Sequence, residues 1–177
     1  MKALATTRRG AALMLACLLA AAPAALAQEQ NSPFGSFEHD TTQPIEITSD
    51  SLAVDQARQK AIFSGDVVAG QGTMRMTAER IIVSYAGEKG DDSGTGRVDR
   101  LRAEGNVFLS NGAETARGEW ADYDVKTGVI TMGGGVVLSQ GENAVSGEKL
   151  VIDLNAGTGE ISGGRVKSVF TPPKREN

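Results

Sequence analysis

A two-residue alternation of apolar and polar positions runs through this chain, and it is written in copies. Three segments show it: Gly65-Asp66-Val67-Val68-Ala69, Gly105-Asn106-Val107-Phe108-Leu109 and Gly134-Gly135-Val136-Val137-Leu138. Each opens on glycine, runs through apolar residues and soon meets another glycine. Their spacings are 40 and 29 residues, and the difference falls within residues 87–100, where GEKGDDSGTG has the composition of a polar, flexible loop. Without that insertion the period is close to 29. The copy extends further, since GEWADYDVKTG at 118–128 aligns with GEKLVIDLNAG at 147–157, and SDSLAVDQA at 49–57 is an earlier partial copy. Short strands and turns repeated at this period predict stacked or meandering β-structure, and the 22 glycines argue against helical repeats.

Side chains two apart share one face of a strand, so the alternation predicts which positions face a common interior. One column holds Leu52, Ile81, Ala121 and Leu150, and the next holds Val54, Val83, Tyr123 and Ile152. The residue between them (Ala53, Ile82, Asp122 or Val151) is less consistently apolar. The other strand of the unit contributes Val67 with Ala69, Val107 with Leu109, and Val136 with Leu138. Leading into it, Ala61 with Phe63 and Ile130 with Met132 keep the same parity across the glycine. Gly65, Gly105 and Gly134 then sit where a long strand must bend, because a residue without a side chain lets a sheet fold over or admits a bulge. The expected fold is all-β: a sheet folded into a V or jellyroll with an apolar inside.

The first residues stand apart from this pattern. Lys2, Arg8 and Arg9 precede an apolar run from Ala11 to Leu26 that ends in Ala25-Leu26-Ala27, which reads as a secretory signal cleaved after Ala27. The run of 16 residues is short of the roughly 20 needed to cross a bilayer, and Gly10-Ala11-Ala12 continues a twin-arginine signal poorly. The competing reading is a retained membrane anchor. The single cysteine, Cys17, lies within the run, in a stretch that only faintly resembles a lipoprotein box. An exported chain left without cysteine needs a packed core or a large sheet rather than a disulfide frame. The expected organisation is a signal at 1–27, a flexible leader at 28–42, a domain at 43–170 and a disordered tail at 171–177.

Cleavage leaves 150 residues with 15 basic against 22 acidic side chains, a net charge of −7. That balance argues against nucleic acid as a partner, and Lys174-Arg175 reads as a solvated end. Candidate chemistry is sparse. His39, the only histidine, falls in the polar leader, where a solvated role is expected. Asp55, Asp124 and Asp153 recur at one repeat position and could be imagined as glycosidase acids, but each ends a strand before a turn, where Asp serves local hydrogen bonding. Asp91 and Asp92 supply too few ligands for calcium by themselves, and no Cys/His spacing suits a metal. No phosphate loop precedes a helix, so no cofactor is expected. Trp120 falls where other copies have Arg80 and Lys149, an outer or rim position. Met74 and Met76 read as core or lumen filler whose flexible side chains suit an irregular apolar ligand.

QPIEITSDSLAVD at 43–55, followed by FSGDVVAGQGTMRMTAE at 63–79 and the GNV and GEK repeats, resembles the OstA-like family of lipopolysaccharide-transport proteins, of the LptA type. The resemblance spans residues 43–170. It implies an antiparallel β-jellyroll, open at both ends, whose apolar groove shields the acyl chains of lipopolysaccharide. It also implies a periplasmic location and head-to-tail assembly with copies of itself, with an inner-membrane LptC-like protein and with an outer-membrane LptD-like protein. Carried over by position, Ile45 and Ile47 match groove isoleucines of the first strand, and Phe63, Val67, Met74 and Met76 match or resemble groove positions. Physical chemistry supports such a role, because each methylene kept from water is worth about 0.8 kcal/mol and several acyl chains together need tens of kcal/mol of cover. Two alternatives stay open: a membrane-tethered LptC-like component of the same pathway, and a glycan-acting β-solenoid enzyme using the aspartate column.

Overall fold

The computed structural model describes residues 39–86 and 97–172. The expected export signal, the lipoprotein-like stretch at Cys17, Asp91 with Asp92, and Lys174-Arg175 lie outside these residues. Ten antiparallel strands form one sheet: β1 (Ile45–Thr48), β2 (Ser51–Asp55), β3 (Lys60–Gln71), β4 (Met74–Ala86), β5 (Arg97–Ser110), β6 (Glu114–Asp124), β7 (Val129–Gln140), β8 (Asn143–Asp153), β9 (Thr158–Ser162) and β10 (Lys167–Val169). The described residues contain no helix long and apolar enough to cross a membrane.

The six central strands, β3 to β8, are each a neighbour of the next and each is broken near its middle. Register shifts lie between Ser64 and Val67, Thr77 and Arg80, Glu104 and Val107, Arg117 and Trp120, and Gly133 and Val136. On β3, β5 and β7 the break is a pair of residues with positive φ: Gly65 and Asp66 (83° and 39°), Gly105 and Asn106 (79° and 46°), Gly134 and Gly135 (85° and 77°). Left-handed backbone costs other L-residues about 1–2 kcal/mol, which is why these pairs hold only Gly, Asp and Asn. The bend expected at the three glycines is therefore present, and it takes two residues rather than one.

The breaks divide the sheet into two limbs. In the first limb β2 pairs with residues 60–64 of β3, and β9 pairs with residues 149–153 of β8. In the second, β1 pairs with residues 68–71 of β3, and β10 with residues 144–146 of β8. A side chain from the adjoining strand or turn fills the outer angle of each bend: Asp50 lies against Gly65, Glu79 against Gly105, Glu119 against Gly134 and Glu148 against Gly163. Asn106 Nδ2 also donates to Glu79 Oε1. The bend is thus backed by a carboxylate residue once per hairpin, which is the structural content of the 29-residue period.

Short Asx-type turns close the limbs. Asp55 Oδ1 accepts from Arg58 N at 3.0 Å, Asp124 Oδ1 from Thr127 N at 2.9 Å, and Asp153 Oδ1 from the amides of Asn155 and Ala156, both at 2.9 Å. The recurring aspartates are therefore turn residues, as their position before Gly or Ala predicts. The Arg58 guanidinium holds the Asp55 carboxyl below its usual range, and the Thr127 amide does the same for Asp124.

Candidate functional site

Three rows of inward side chains cross the folded sheet along its hydrogen-bonding direction. The first runs from Leu52 through Phe63, Ile81, Ala103, Ala121, Met132 and Leu150 to Ile161. The second runs from Val54 through Ala61, Val83, Leu101, Tyr123 and Ile130 to Ile152. The third, on the other limb, runs from Ile47 through Ala69, Met76, Leu109, Ala116 and Leu138 to Val145. Val67, Val107 and Val136 lie next to the bends and are buried, as is Met74 near the tip of the second limb, where Ile45 sits opposite Gln71. The positions that parity or motif placed inside, Leu52 and Val54 excepted, thus pack into one interior cluster or, like Ile45, Ile47 and Phe63, against it.

Leu52 and Val54 differ from the rest. They point the same way as Phe63 and Ala61 but are 56% and 63% exposed, because β2 is an edge and nothing among the described residues covers the row beyond it. At the opposite end Val166, Val169 and Phe170 are also exposed. Among the described residues, five of the seven large exposed hydrophobics therefore lie at the two ends of the sheet, and Val68 and Val137 are the other two.

Between those ends the interior is filled by its own side chains. Ile81, Ala103, Ala121, Ile130, Met132, Leu150 and Ile152 are fully buried. Among the described residues the buried polar side chains are Gln71 and Glu114. Gln71 Oε1 accepts from the Tyr123 hydroxyl at 3.0 Å, which ties the tip of the second limb to the first. Burial pushes the Tyr123 phenol above its usual range, and neighbouring Asp124 adds to the effect. Glu114 Oε2 accepts from Asn111 Nδ2 in the tight turn before β6.

Two other readings meet the structure differently. His39 was expected in solvent, yet its backbone amide donates to Leu154 O at 3.1 Å and its ring lies over Gly72, with Nε2 buried and without a hydrogen-bond partner. The correction has a simple cause: His39 lines a small cavity with Met74, Leu109 and Leu154, and sequence position alone could not show that neighbourhood. Trp120 faces outward as expected. It lies over Gly133, and the Arg102 guanidinium sits 4.4 Å from its centroid. No group of three or more His, Cys, Asp or Glu among the described residues has the geometry to hold a metal ion.

A buried apolar surface with few polar side chains suits long hydrocarbon better than a polar substrate, since each buried polar group must find its own partner inside. Gln71 was not legible as a site residue, although standing two positions after Ala69 put it on the inner face.

A family model described as "LptA/(LptD N-terminal domain) LPS transport protein" matches residues 46–158. An uncharacterized protein of Rhizobium meliloti (strain 1021) is 38% identical over 130 residues, covering 72% of this chain and 70% of that protein. The lipopolysaccharide export system protein LptA of Escherichia coli (strain K12) is 37% identical over 54 residues, 30% of this chain and 29% of that one. The crystal structure of LptH, the LptA-homologous periplasmic component of the lipopolysaccharide transport device from Pseudomonas aeruginosa, superposes with a TM-score of 0.65 at 20% identity. It covers 75% of this chain and 99% of that one.

Proposed function

The chain belongs to the family of LptA and LptD N-terminal-domain lipopolysaccharide transport proteins, and on that premise we propose that it is a periplasmic carrier that shelters the acyl chains of lipopolysaccharide between its limbs. The observation that carries this reading is the continuity of the inward rows, apolar from β2 to β8 and exposed at the β2 edge. Acyl chains meet apolar side chains at Leu52 and Val54 first and reach Phe63, Ile81 and Met76 when the limbs part. The remaining interior candidates (Ile45, Ile47, Val67, Met74, Val83, Val107, Leu109, Tyr123, Val136, Leu138 and Ile152) form the rest of the lining.

The sheet ends give the assembly its chemistry. β1 and β2 at one end and β9 and β10 at the other present unpaired edges beside the exposed Leu52, Val54, Val166 and Val169. A second copy, or an LptC-like or LptD-like domain, can add strands there and continue the rows, and unlike ends joined this way propagate instead of closing. The residues carry no energy-coupling motif, so directed movement is driven by a partner.

Photo-crosslinking tests the carrier. Probes at Ile47, Phe63 and Met76 are expected to capture lipopolysaccharide in cells, while probes at the outward Val68 and Val137 are not. Capture confined to the outward pair would falsify the reading. Sequencing the mature N-terminus checks export separately, with Gln28 as the expected first residue and an intact residue 1 as the result that favours a tethered component.

A further inference from the structure

Residues 39–44 do not simply lead into β1. They touch both limbs of the folded sheet. On the first-limb side, His39 N donates to Leu154 O in the turn between β8 and β9. On the second-limb side, Gln71 Nε2 donates to Thr41 O and to Gln43 O, both at 2.9 Å. The segment holds its own shape through Asp40, whose Oδ1 accepts from Thr42 N at 3.0 Å and whose Oδ2 accepts from Gln43 Nε2 at 2.8 Å. His39 lines one small cavity together with Met74, Leu109, Ala116 and Leu154.

We propose that residues 39–44 are a strap that keeps the limbs together in the unloaded protein and must leave the opening before an acyl chain enters, with Gln71 as its latch. The proposal rests on the carrier reading and names a control of that same site. Three features favour a releasable strap over a permanent wall. Its hold consists of a few hydrogen bonds at its two ends, whereas each central strand is paired along its length. Its imidazole nitrogen Nε2 is buried without a partner, which lowers the net gain of the seated state. And Gln71 spends its amide on the strap and its carbonyl on Tyr123 of the opposite limb, so freeing the strap also loosens the tie between the tips.

The backbone contact between His39 and Leu154, and the small cavity both residues line, make this pair the choice for a cross-link between strap and first limb. The test uses the full chain with Cys17→Ser, His39→Cys and Leu154→Cys, oxidised or reduced, and follows capture of purified hexa-acylated lipopolysaccharide by a probe at Phe63. The oxidised form is expected to load about tenfold more slowly than the same protein after reduction, the reduced form being its own control for folding. Separately, Gln71→Glu keeps an acceptor for Tyr123 but sets a carboxylate against two carbonyls, and it is expected to load about threefold faster than the parent. Equal rates in oxidised and reduced protein, with capture intact, overturn the strap and leave the carrier standing. An unchanged rate in Gln71→Glu overturns its latch. No capture in any form, the unsubstituted chain included, overturns the carrier and the strap with it.

Discussion

Gly105 concentrates the conformational demand of the whole fold in one residue. Its φ is +79° and a methyl group placed on it would meet the Glu79 carboxylate, so both backbone and space exclude a side chain. Gly105→Ala is expected to lower stability by about 1–3 kcal/mol in denaturant titration, whereas Gly141→Ala, which meets nothing nearby, loses only the backbone part, about 1–2 kcal/mol. Tyr123→Phe leaves the buried Gln71 carbonyl oxygen without its donor, and about 1 kcal/mol should be lost by the same measurement. Asp40 makes a pH prediction. Hydrogen bonds from Gln43 and then Thr42, with a smaller contribution from the His39 charge, lower its pKa from 3.8 to about 2. A depressed carboxylate stabilises its local turn above the unfolded pKa and loses that contribution as pH falls toward the folded one. Amide exchange at Thr42, corrected for intrinsic rates, should therefore speed up as pH drops through the range from 3.8 to about 2, and Asp40→Asn should flatten the profile. At this scale the sequence was partly legible. Columns such as Val54, Val83, Tyr123 and Ile152 follow from parity, because strand geometry is local. Gln71 and His39 do not, because their surroundings are set by partners 28 to 52 residues from Gln71 and by Leu154 for His39.

Among the strands, β3 is the one that organises the N-terminal end. Its two halves, separated at Gly65 and Asp66, each receive a short strand, β2 on the first and β1 on the second. The motif around Ile45 and Ile47 and the column begun by Leu52 and Val54 predicted both strands. That they lie on different limbs was not legible, since it depends on the chain turning at Ser49 and Asp50, where Asp50 N donates to Gly65 O. The arrangement leaves β2 with an apolar, exposed inner face at the edge. Leu52→Arg with Val54→Arg should leave the melting temperature nearly unchanged, because both sites are exposed already. The same double variant should raise the concentration at which light scattering detects chain-to-chain assembly by about tenfold. Assembly at the parental concentration would show that β2 is not a docking edge.

For the domain as a whole, the repeat period and the rows meet in one design. The apolar interior is continuous across the strands, and its parity was legible from the sequence because every copy keeps it. What the copies could not reveal is that the two limbs are tied to each other, with the Tyr123 hydroxyl donating to Gln71 at the tips. The packing of the limbs follows from the apolar character of their facing surfaces. Surface that favours hydrocarbon also favours itself, so facing apolar limbs pack together.

The carboxylate residues seated behind the bends extend that design. Each of Asp50, Glu79, Glu119 and Glu148 backs one glycine bend, so every hairpin brings its own corner and its own cornerstone. Such a chain is modular in the manner of brickwork, and its length is set by how many courses are laid. Removing residues 106–134 joins Gly105 to Gly135 and deletes one whole course while keeping the corner sequence Gly-Gly that the parent already uses at 134 and 135. The shortened chain should fold to an all-β circular dichroism spectrum with a lower melting temperature, whereas a deletion of half that length should not fold. A chain shortened in this way keeps both edge-strand pairs but loses the Tyr123–Gln71 tie, so its lower melting temperature measures the lost course and the lost tie together.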